Sequence, residues 1–262
     1  MNKRTSQEKK IEKHSLKQLQ QFWVGLLDGD GSIQCNHWRK KTLQYRFSIK
    51  LKEDPKNLEM LQLISRKIGG TVRPVKTLKG PQILWVEDHQ RRIWKLTEIL
   101  HKYPPLTSRV QCQWQFLEEC RERKSVSWLL EHRPDKYQNQ HFYIREACKK
   151  GAGFLSQLHY WPLWCSGFIE AEGCFSLREG GSPSFSIGQK SDKFLIEEIR
   201  HYFVGQNQVS TIGEHFFFWQ VYRRDVLNNI KNHCQQYPLL GEKSNSATRF
   251  FLNPNLSCQA IV

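Results

Sequence analysis

The sequence predicts an α+β protein built from two similar halves in one chain, each with the order helix, strand pair, helix, strand pair, helix. The first observation is a repeated motif: FWVGLLDGDGSI at 22–33 aligns with WCSGFIEAEGCF at 164–175, glycine on glycine and acid on acid. Second, the similarity continues downstream while the offset between copies falls from 142 to 138 and 134. Third, LQYRFSIKL at 43–51 alternates strictly between apolar and polar residues, which is typical of a half-buried strand.

The elements of each half follow in order along the chain. The motif closes a helix, and the alternating segment then predicts a strand with a core-facing side and a polar, basic side. LEMLQLISRKIGG at 58–70 has helical spacing and ends in two glycines, which predicts a helix and its stop. The segments 83–109 and 217–243 then align with each other, and each contains a Tyr-Pro pair and ends in a basic residue.

Offsets that fall in small steps are what loop shortening leaves in a duplicated fold. We therefore divide the chain into a basic tail (1–18), a first half (19–123), a linker (124–155) and a second half (156–262). The linker is polar and charged, and its segment SVSWLLEH predicts one short helix.

The composition of the chain favours some classes of binding partner over others. The net charge of +15 and the pI of about 9.5 favour a polyanion, most often nucleic acid, over the weaker alternative of an anionic membrane surface. The apolar runs fall short of a membrane span, and the first fifteen residues lack the apolar stretch of a secretory signal, so we expect a soluble protein. The 8 cysteines form no CxxC pair, which predicts core residues in a reducing compartment rather than a zinc site or a disulfide framework.

Small residues recur four positions apart within each motif, a spacing that lets another backbone approach a helix closely. They are Gly25 and Gly29 in the first motif, and Gly167 and Ala171 in the second. The arrangement predicts that the two motif helices pack against each other at a pseudo-twofold axis. Their C-terminal ends would then bring Asp30 and Glu172 together.

Carboxylates at helix C-termini face the negative end of the helix dipole, and two of them repel each other. A divalent metal ion offsets this cost, since Mg²⁺ binds through one or two carboxylates and phosphate oxygens. The alternative is that these acids are solvated turn residues before glycine. Because the acidic motif occurs twice, in matching halves of a basic chain, we favour the metal site over solvated turn residues.

The paired segments WVGLLDGDG and CSGFIEAEG resemble the two signature motifs of single-chain LAGLIDADG homing endonucleases. The resemblance covers nearly the whole chain after the tail. It implies an αββαββα fold in each half, with two antiparallel sheets forming a saddle over the DNA major groove and the motif helices forming the interface. Because both halves lie in one chain, we expect a monomer.

The resemblance also implies a cleavage site. By matching positions, Asp30 and Glu172 are the metal-binding catalytic acids, with Gly29 and Ala171 beside the metal. The family pattern places a basic residue after each Y-P-x-L segment and a polar one at the end of the second strand. These residues are Arg109, Lys243 and Gln189; in the first half Leu51 departs from the pattern, so one strand-cutting site is less well supported.

The implied activity is a site-specific double-strand break in a long DNA target, dependent on Mg²⁺ and leaving 3′ overhangs. Mn²⁺ or Ca²⁺ would substitute for binding. By family analogy, such proteins are encoded within introns of mitochondrial or chloroplast genes.

Outward strand residues are expected to line the DNA face. In the first half they are Ser32, Gln34, Asn36, Trp38, Lys40, Gln44, Arg46, Ser48, Lys50 and Arg73. In the second half they are Ser176, Arg178, Ser184, Ser186, Gln208 and Ser210.

Two alternatives remain open on the same fold. One is an RNA maturase whose partner is its host intron RNA, and the other is a DNA-binding protein without catalysis. Both motif acids are present, which favours the nuclease.

Overall fold

The structure, a computed structural model, describes residues 15–78, 80–177 and 183–252. It confirms the predicted α+β architecture of two halves with two antiparallel sheets. The first half contains α1 (Leu16–Asp30), β1 (Gly31–Trp38), β2 (Thr42–Lys52), α2 (Pro55–Lys67), β3 (Thr71–Thr77), β4 (Gly80–Glu87), α3 (Gln90–Lys102) and α4 (Ser108–Arg123). Helix α4 extends the predicted order by one element.

The linker contains α5 (Val126–His132), which confirms the predicted short helix, and a second helix, α6 (Gln140–Lys149), that was not predicted. A 3₁₀ turn (Leu155–Gln157) spans the predicted boundary between the linker and the second half. The second half then contains α7 (Trp161–Glu172), β5 (Cys174–Leu177), β6 (Pro183–Lys190), α8 (Lys193–Tyr202), β7 (Ser210–Ile212), β8 (Phe216–Val221), α9 (Arg224–Gln236) and α10 (Glu242–Phe251). The domain boundaries stay a prediction, and residues 1–14 of the basic tail lie outside the described residues.

Helix α1 begins at a capping box. The Ser15 side chain accepts a hydrogen bond from the Gln18 backbone N–H, and the Gln18 side chain accepts one from the Ser15 N–H. The helix then buries nearly every side chain from Phe22 onward and ends where Gly31 enters an extended conformation. Strand β1 therefore starts at the residue that follows Asp30.

The two sheets have the same topology, with strand orders β1-β2-β4-β3 and β5-β6-β8-β7. In the first sheet Ser32 lies opposite Ser48 and Gln34 opposite Arg46, while the alternate residues Phe47 and Ile49 are buried. One face of the sheet therefore packs on the helices and the other is polar, as the alternation at 43–51 predicts.

The motif helices α1 and α7 touch backbone to backbone. A Cβ built on Gly25 would lie 1.9 Å from the carbonyl oxygen of Trp164, and one built on Gly167 would lie 2.0 Å from that of Phe22. These contacts are reciprocal, which is the signature of a pseudo-twofold axis between the helices. Near the helix ends, a Cβ on Gly29 would meet that of Ala171 at 2.2 Å.

The buried apolar residues of both halves form one continuous core around this helix pair. Stacked rings continue the contact along α7, where Trp164 packs on Trp161 and Phe168. Among the described residues, the structure shows no helix long and apolar enough to cross a membrane.

We expect Gly25→Ala to lower the free energy of unfolding by about 3 kcal/mol, because its methyl group forces the two helix backbones apart. Urea denaturation followed by circular dichroism measures the change. Gly213→Ala is the control: its Cβ has no neighbour within 4 Å, and its φ of +61° adds only the left-handed cost of about 1 kcal/mol. Equal losses in the two variants would contradict the backbone contact.

Candidate active site

The acids that end α1 and α7 lie close together. A Cβ on Gly29 would be 3.6 Å from Oε1 of Glu172, beside Asp30. Asp30 keeps part of its surface exposed, yet the loss of solvent around its carboxylate raises its pKa to about 7, and the charge of Glu172 contributes to the rise. Burial also raises the pKa of Glu172 above its usual range. The two carboxylates therefore share one site, in which Glu172 is half-buried and Asp30 reaches the surface.

The predicted basic residue of the first half, Arg109, binds the C-terminal end of α1. Its Nη1 donates to the Gly31 carbonyl at 2.7 Å, and its Nη2 donates to the carbonyls of Asp28 and Gly29 at 2.7 and 2.9 Å. A cation at this end offsets the negative pole of the helix dipole. The guanidinium also lowers the pKa of both Asp30 and Glu172.

Lys243 repeats this arrangement at the end of α7. Its Nζ donates to the carbonyl oxygens of Ala171, at 3.2 Å, and of Gly173. Like Arg109, it lowers the pKa of both site acids. The structure therefore brings the two predicted acids and the two predicted basic residues together. Each basic side chain is hydrogen-bonded to the C-terminal end of a motif helix.

The first acid of each motif differs in function from the second acid, because it anchors a loop. Asp28 is fully buried and accepts hydrogen bonds from the backbone N–H groups of Leu106 and Thr107, from the Thr107 hydroxyl, and from Nε1 of Trp164. Burial raises the pKa of Asp28 to about 6, although these hydrogen bonds lower it. The carboxylate thereby fixes the loop that leads directly to Arg109.

Glu170 has the matching position in the second half. It accepts hydrogen bonds from the backbone N–H groups of Leu240, Gly241 and Lys243 at 3.1, 2.9 and 3.0 Å. Burial raises its pKa, and these hydrogen bonds lower it. Sequence reasoning missed this anchoring function, although the repeat itself carries the signal, since acid aligns with acid at both positions of the motif.

Each half also caps a helix of the other. The Ser108 N–H at the start of α4 donates to Oδ2 of Asp192 at 3.0 Å, and the Glu242 N–H at the start of α10 donates to Oδ1 of Asn57 at 3.0 Å. Asp192 is buried, and within the described part of the chain its Oδ1 has no hydrogen-bond partner. Burial, with a smaller contribution from the Asp28 charge, raises the pKa of Asp192 to about 7.

The first sheet presents the predicted polar face. Its outward residues form rows across the strands, with Ser32 opposite Ser48, Gln34 opposite Arg46, Asn36 opposite Gln44, and Lys50 and Arg73 on either side of Leu84. Arg46 also pairs with Asp88 at 3.2 Å. Trp38 and Lys40 lie at the β1–β2 turn, where Trp38 is 56% exposed.

The prediction for the outward face of the second sheet is wrong at two positions. Ser184 and Ser186 were predicted to line the DNA face, but they are 1% and 9% exposed. Strand β6 is the central strand between β5 and β8, and short serine side chains there lie below the surface. On β8 the outward residues Phe216 and Phe218 are apolar and the outward Gln220, opposite Ser186, is polar, so this face is less uniformly polar than the first.

The other predicted positions of the second half vary. Ser176 is half-buried in β5, Ser210 is exposed in β7, and Gln208 is exposed in the loop before β7. Arg178 lies outside the described residues.

Gln189 and Leu51 occupy matching positions near the ends of β6 and β2. Both are buried, and Leu51 belongs to the apolar core. Among the described residues, the Gln189 side chain makes no hydrogen bond with Asp30 or Glu172. Its predicted support for cleavage therefore stays a proposal.

The site fits a hard divalent cation. Its oxygen donors are the carboxylates of Asp30 and Glu172. The neighbouring carbonyls of Gly29 and Ala171 accept hydrogen bonds from Arg109 and Lys243, respectively. Within the described residues, no group of three or more His, Cys, Asp or Glu side chains could hold a metal. An ion bound by two carboxylates would complete its shell with water and phosphate oxygens, as Mg²⁺ does.

The fold and the paired acids define a single-chain protein with two endonuclease-type motifs. The chain belongs to the LAGLIDADG endonuclease family, whose model matches residues 23–120 and 165–251. It is 39% identical over 246 residues to a probable intron-encoded endonuclease aI3 of Dictyostelium citrinum, covering 93% of this chain and 97% of that protein. It is 40% identical over 259 residues to the protein of the same description from Debaryomyces hansenii, covering 88% of this chain. The match with the Debaryomyces hansenii protein spans only 37% of that protein's length.

Solved structures share the fold. The I-LtrWI LAGLIDADG homing endonuclease bound to target DNA has a TM-score of 0.66 and 19% identity, with 91% of this chain and 90% of that chain covered. The LAGLIDADG meganuclease I-CpaMI bound to uncleaved DNA has a TM-score of 0.64 and 17% identity, with 88% and 89% covered. At these identities the likeness concerns the fold.

We expect Asp192→Asn to stabilise the protein at about pH 8 by about 2 kcal/mol and to have little effect near pH 4. The folded-state pKa of about 7 lies above the ordinary 3.8, so wild-type stability from this group falls as pH rises between these values. Asparagine keeps an acceptor for the Ser108 N–H and removes the charge. Urea unfolding of both proteins across this pH range measures the difference. A variant less stable than wild type at pH 8 would show that the charge of Asp192 stabilises the fold.

Proposed function

We propose that this chain is a site-specific DNA endonuclease that makes a divalent-metal-dependent double-strand break. The observation that carries the proposal is the meeting of Asp30 and Glu172 at the ends of two helices packed backbone to backbone, between two antiparallel sheets. Two neighbouring carboxylates repel each other, as the effect of Glu172 on the pKa of Asp30 indicates, and a cation bound between them offsets this repulsion. Relatives described as probable intron-encoded endonucleases support the same activity.

The polar face of the first sheet is the proposed DNA surface. Its rows of hydrogen-bonding and basic side chains match base edges and phosphates, and the net charge of +15 favours the DNA polyanion. Solved proteins with the same fold are described as bound to DNA, which supports a DNA partner for this chain.

In the proposed mechanism Asp30 and Glu172 would hold the metal, with Mg²⁺ as the physiological ion. A divalent cation held there would supply Lewis acidity to the attacking water and the leaving 3′ oxygen. Arg109 and Lys243 keep the carboxylates available by lowering their pKa and by neutralising the helix ends behind them. Because the pKa of Asp30 is about 7, protons compete with the metal, so metal affinity should rise with pH through neutrality.

The finer properties are carried over from the family resemblance as part of the proposal. The protein acts as a monomer, since its two motif helices bury each other within one chain. It leaves 3′ overhangs, and its gene lies in an intron of a mitochondrial or chloroplast gene.

A maturase function remains the alternative, because intron RNA is also a polyanion. Both motif acids are retained at the meeting point of the helices, a feature that RNA binding alone does not require. Incubation with Mg²⁺ and DNA containing the intron insertion site distinguishes the two, since only the nuclease produces double-strand breaks.

We expect Asp30→Asn and Glu172→Gln each to abolish double-strand cleavage, with a loss of about 10³-fold or more, while DNA affinity stays within a few-fold of wild type. The acids act on the metal and the transition state, whereas affinity comes from the sheets. A supercoiled plasmid carrying the target is followed for nicked and linear forms, and gel shift in Ca²⁺ measures binding. Wild-type kinetics in both variants would overturn the catalytic assignment.

Gln189→Ala should slow cutting of one strand preferentially, so that nicked plasmid accumulates. The reason is that only the second half has an amide at this position, where the first half has Leu51. Leu51→Gln should change the other strand's rate at most modestly, and it should destabilise the fold by about 1–3 kcal/mol because it buries an amide in the core. Equal slowing of both strands by Gln189→Ala would refute the asymmetry alone.

A further inference from the structure

Strand β1 is an edge strand of the first sheet, and the linker between the halves is fastened beside it. The Ile33 N–H of β1 donates to Oε1 of Gln113 at 2.8 Å, and Nε2 of the same glutamine donates to the Tyr137 hydroxyl at 2.9 Å. Gln113 is 4% exposed and lies in α4. One buried amide therefore ties the free edge of β1 to the turn between α5 and α6.

Further hydrogen bonds hold the same turn along α4. Oε1 of Gln115 accepts from Nδ2 of Asn139 at 3.2 Å and from the Tyr143 hydroxyl at 2.7 Å. Trp128 of α5 stacks on Phe116 with ring centroids 5.6 Å apart. The linker segment at 133–139 therefore has a defined position rather than that of a loose tether.

This position brings two basic side chains to the edge of β1, beside the proposed DNA surface. Arg133 and Lys136 line a cleft together with Gln34, Cys35, Asn36 and Phe116. Gln34 and Asn36 are outward residues of the first sheet, so the cleft joins the linker to the proposed DNA surface. The Lys136 ammonium lies 4.6 Å from the Tyr137 ring centroid, which restricts where it points.

The charge of these two side chains is available for a partner. Arg133 is exposed and Lys136 is half-buried, and neither forms an ion pair in the part of the chain that the structure describes. The nearby acids are the exposed Glu131 and Asp135 and the half-buried Glu119 of α4, which lines a second cleft together with Lys136. Among the described residues, none of these acids forms an ion pair with either basic side chain.

Within residues 156–177 and 183–252 of the second half, the structure shows no counterpart of this attachment. The position that aligns with Gln113 is Ala247, which cannot hydrogen-bond to a strand edge. There α10 covers β5 with aromatic rings, and Phe175 packs on Phe250 and Phe251 at centroid distances of 5.5 and 5.6 Å.

We propose that Arg133 and Lys136 bind backbone phosphates of double-stranded DNA, at the side of the first half-site that lies beyond the edge of β1. This rests on the proposed function, because it needs the outward face of the first sheet to bind DNA. Long basic side chains at a sheet edge suit phosphates better than bases, so the pair adds affinity and register without sequence preference.

The test compares two double variants of the full chain with the wild type. Arg133→Ala/Lys136→Ala should weaken binding of the target duplex on the order of ten-fold near 150 mM salt, and reduce the slope of log affinity against log salt by about 2. Arg91→Ala/Lys95→Ala removes the same charge from the exposed side of α3, whose buried side packs on the core, and should have a far smaller effect. Circular dichroism confirms that each variant is folded.

Further measurements separate the outcomes. In the Arg133→Ala/Lys136→Ala variant, binding of random duplex should weaken as much as binding of the target. The Arg133→Lys/Lys136→Arg variant keeps both charges, so its slope of log affinity against log salt should equal that of the wild type. Hydroxyl-radical footprints should lose protection at one end of the target only. Equal behaviour of the two alanine variants would overturn the inference, as would a loss confined to target sequence or to intron RNA. A wild-type protein that fails to bind the duplex would instead refute the proposed function.

Discussion

The structure depends on the contact between the backbones of α1 and α7. At Gly25 and Gly167 an added Cβ would fall 1.9 and 2.0 Å from a carbonyl oxygen of the other helix, so only glycine permits the approach. The contact is reciprocal, and it places the two helix ends side by side. Because a strand follows each helix almost directly, the same contact also orients the two sheets and determines where Asp30 and Glu172 meet.

Bringing two helix C-termini and two carboxylates together concentrates negative charge, and the remainder of the site offsets it. Arg109 and Lys243 donate to the terminal carbonyls, and the first acid of each motif holds the loop that delivers the cation. The two acids of a motif therefore have separate positions: one is buried and hydrogen-bonded, and the other is the proposed metal ligand. The two basic residues, held in place by the two buried acids, offset the concentrated negative charge while the helix pair stays packed.

The symmetry of the centre does not extend to the two sheets. The first presents polar and basic rows, whereas the second combines buried serines with the outward aromatic residues Phe216 and Phe218. Their edges are also covered differently, by a buried glutamine and the linker in one half and by aromatic rings in the other. A symmetric centre with unequal faces is suited to a DNA target whose two halves differ in sequence.

The sequence by itself determined the duplicated fold, the alternation of β2 and the meeting of the motif helices. These follow from local periodicity and from small residues at fixed spacing, which need no knowledge of distant partners. Only the tertiary structure decided that Arg109 and Lys243 bind helix-end carbonyls, that Asp192 caps α4 across the two halves, and that Ser184 and Ser186 are buried. Strand parity assigns a side chain to a face, but it contains no information about what covers that face. The partners of those cations and caps lie about 70 to 85 residues away, and their distances are determined by how the elements and the two halves pack.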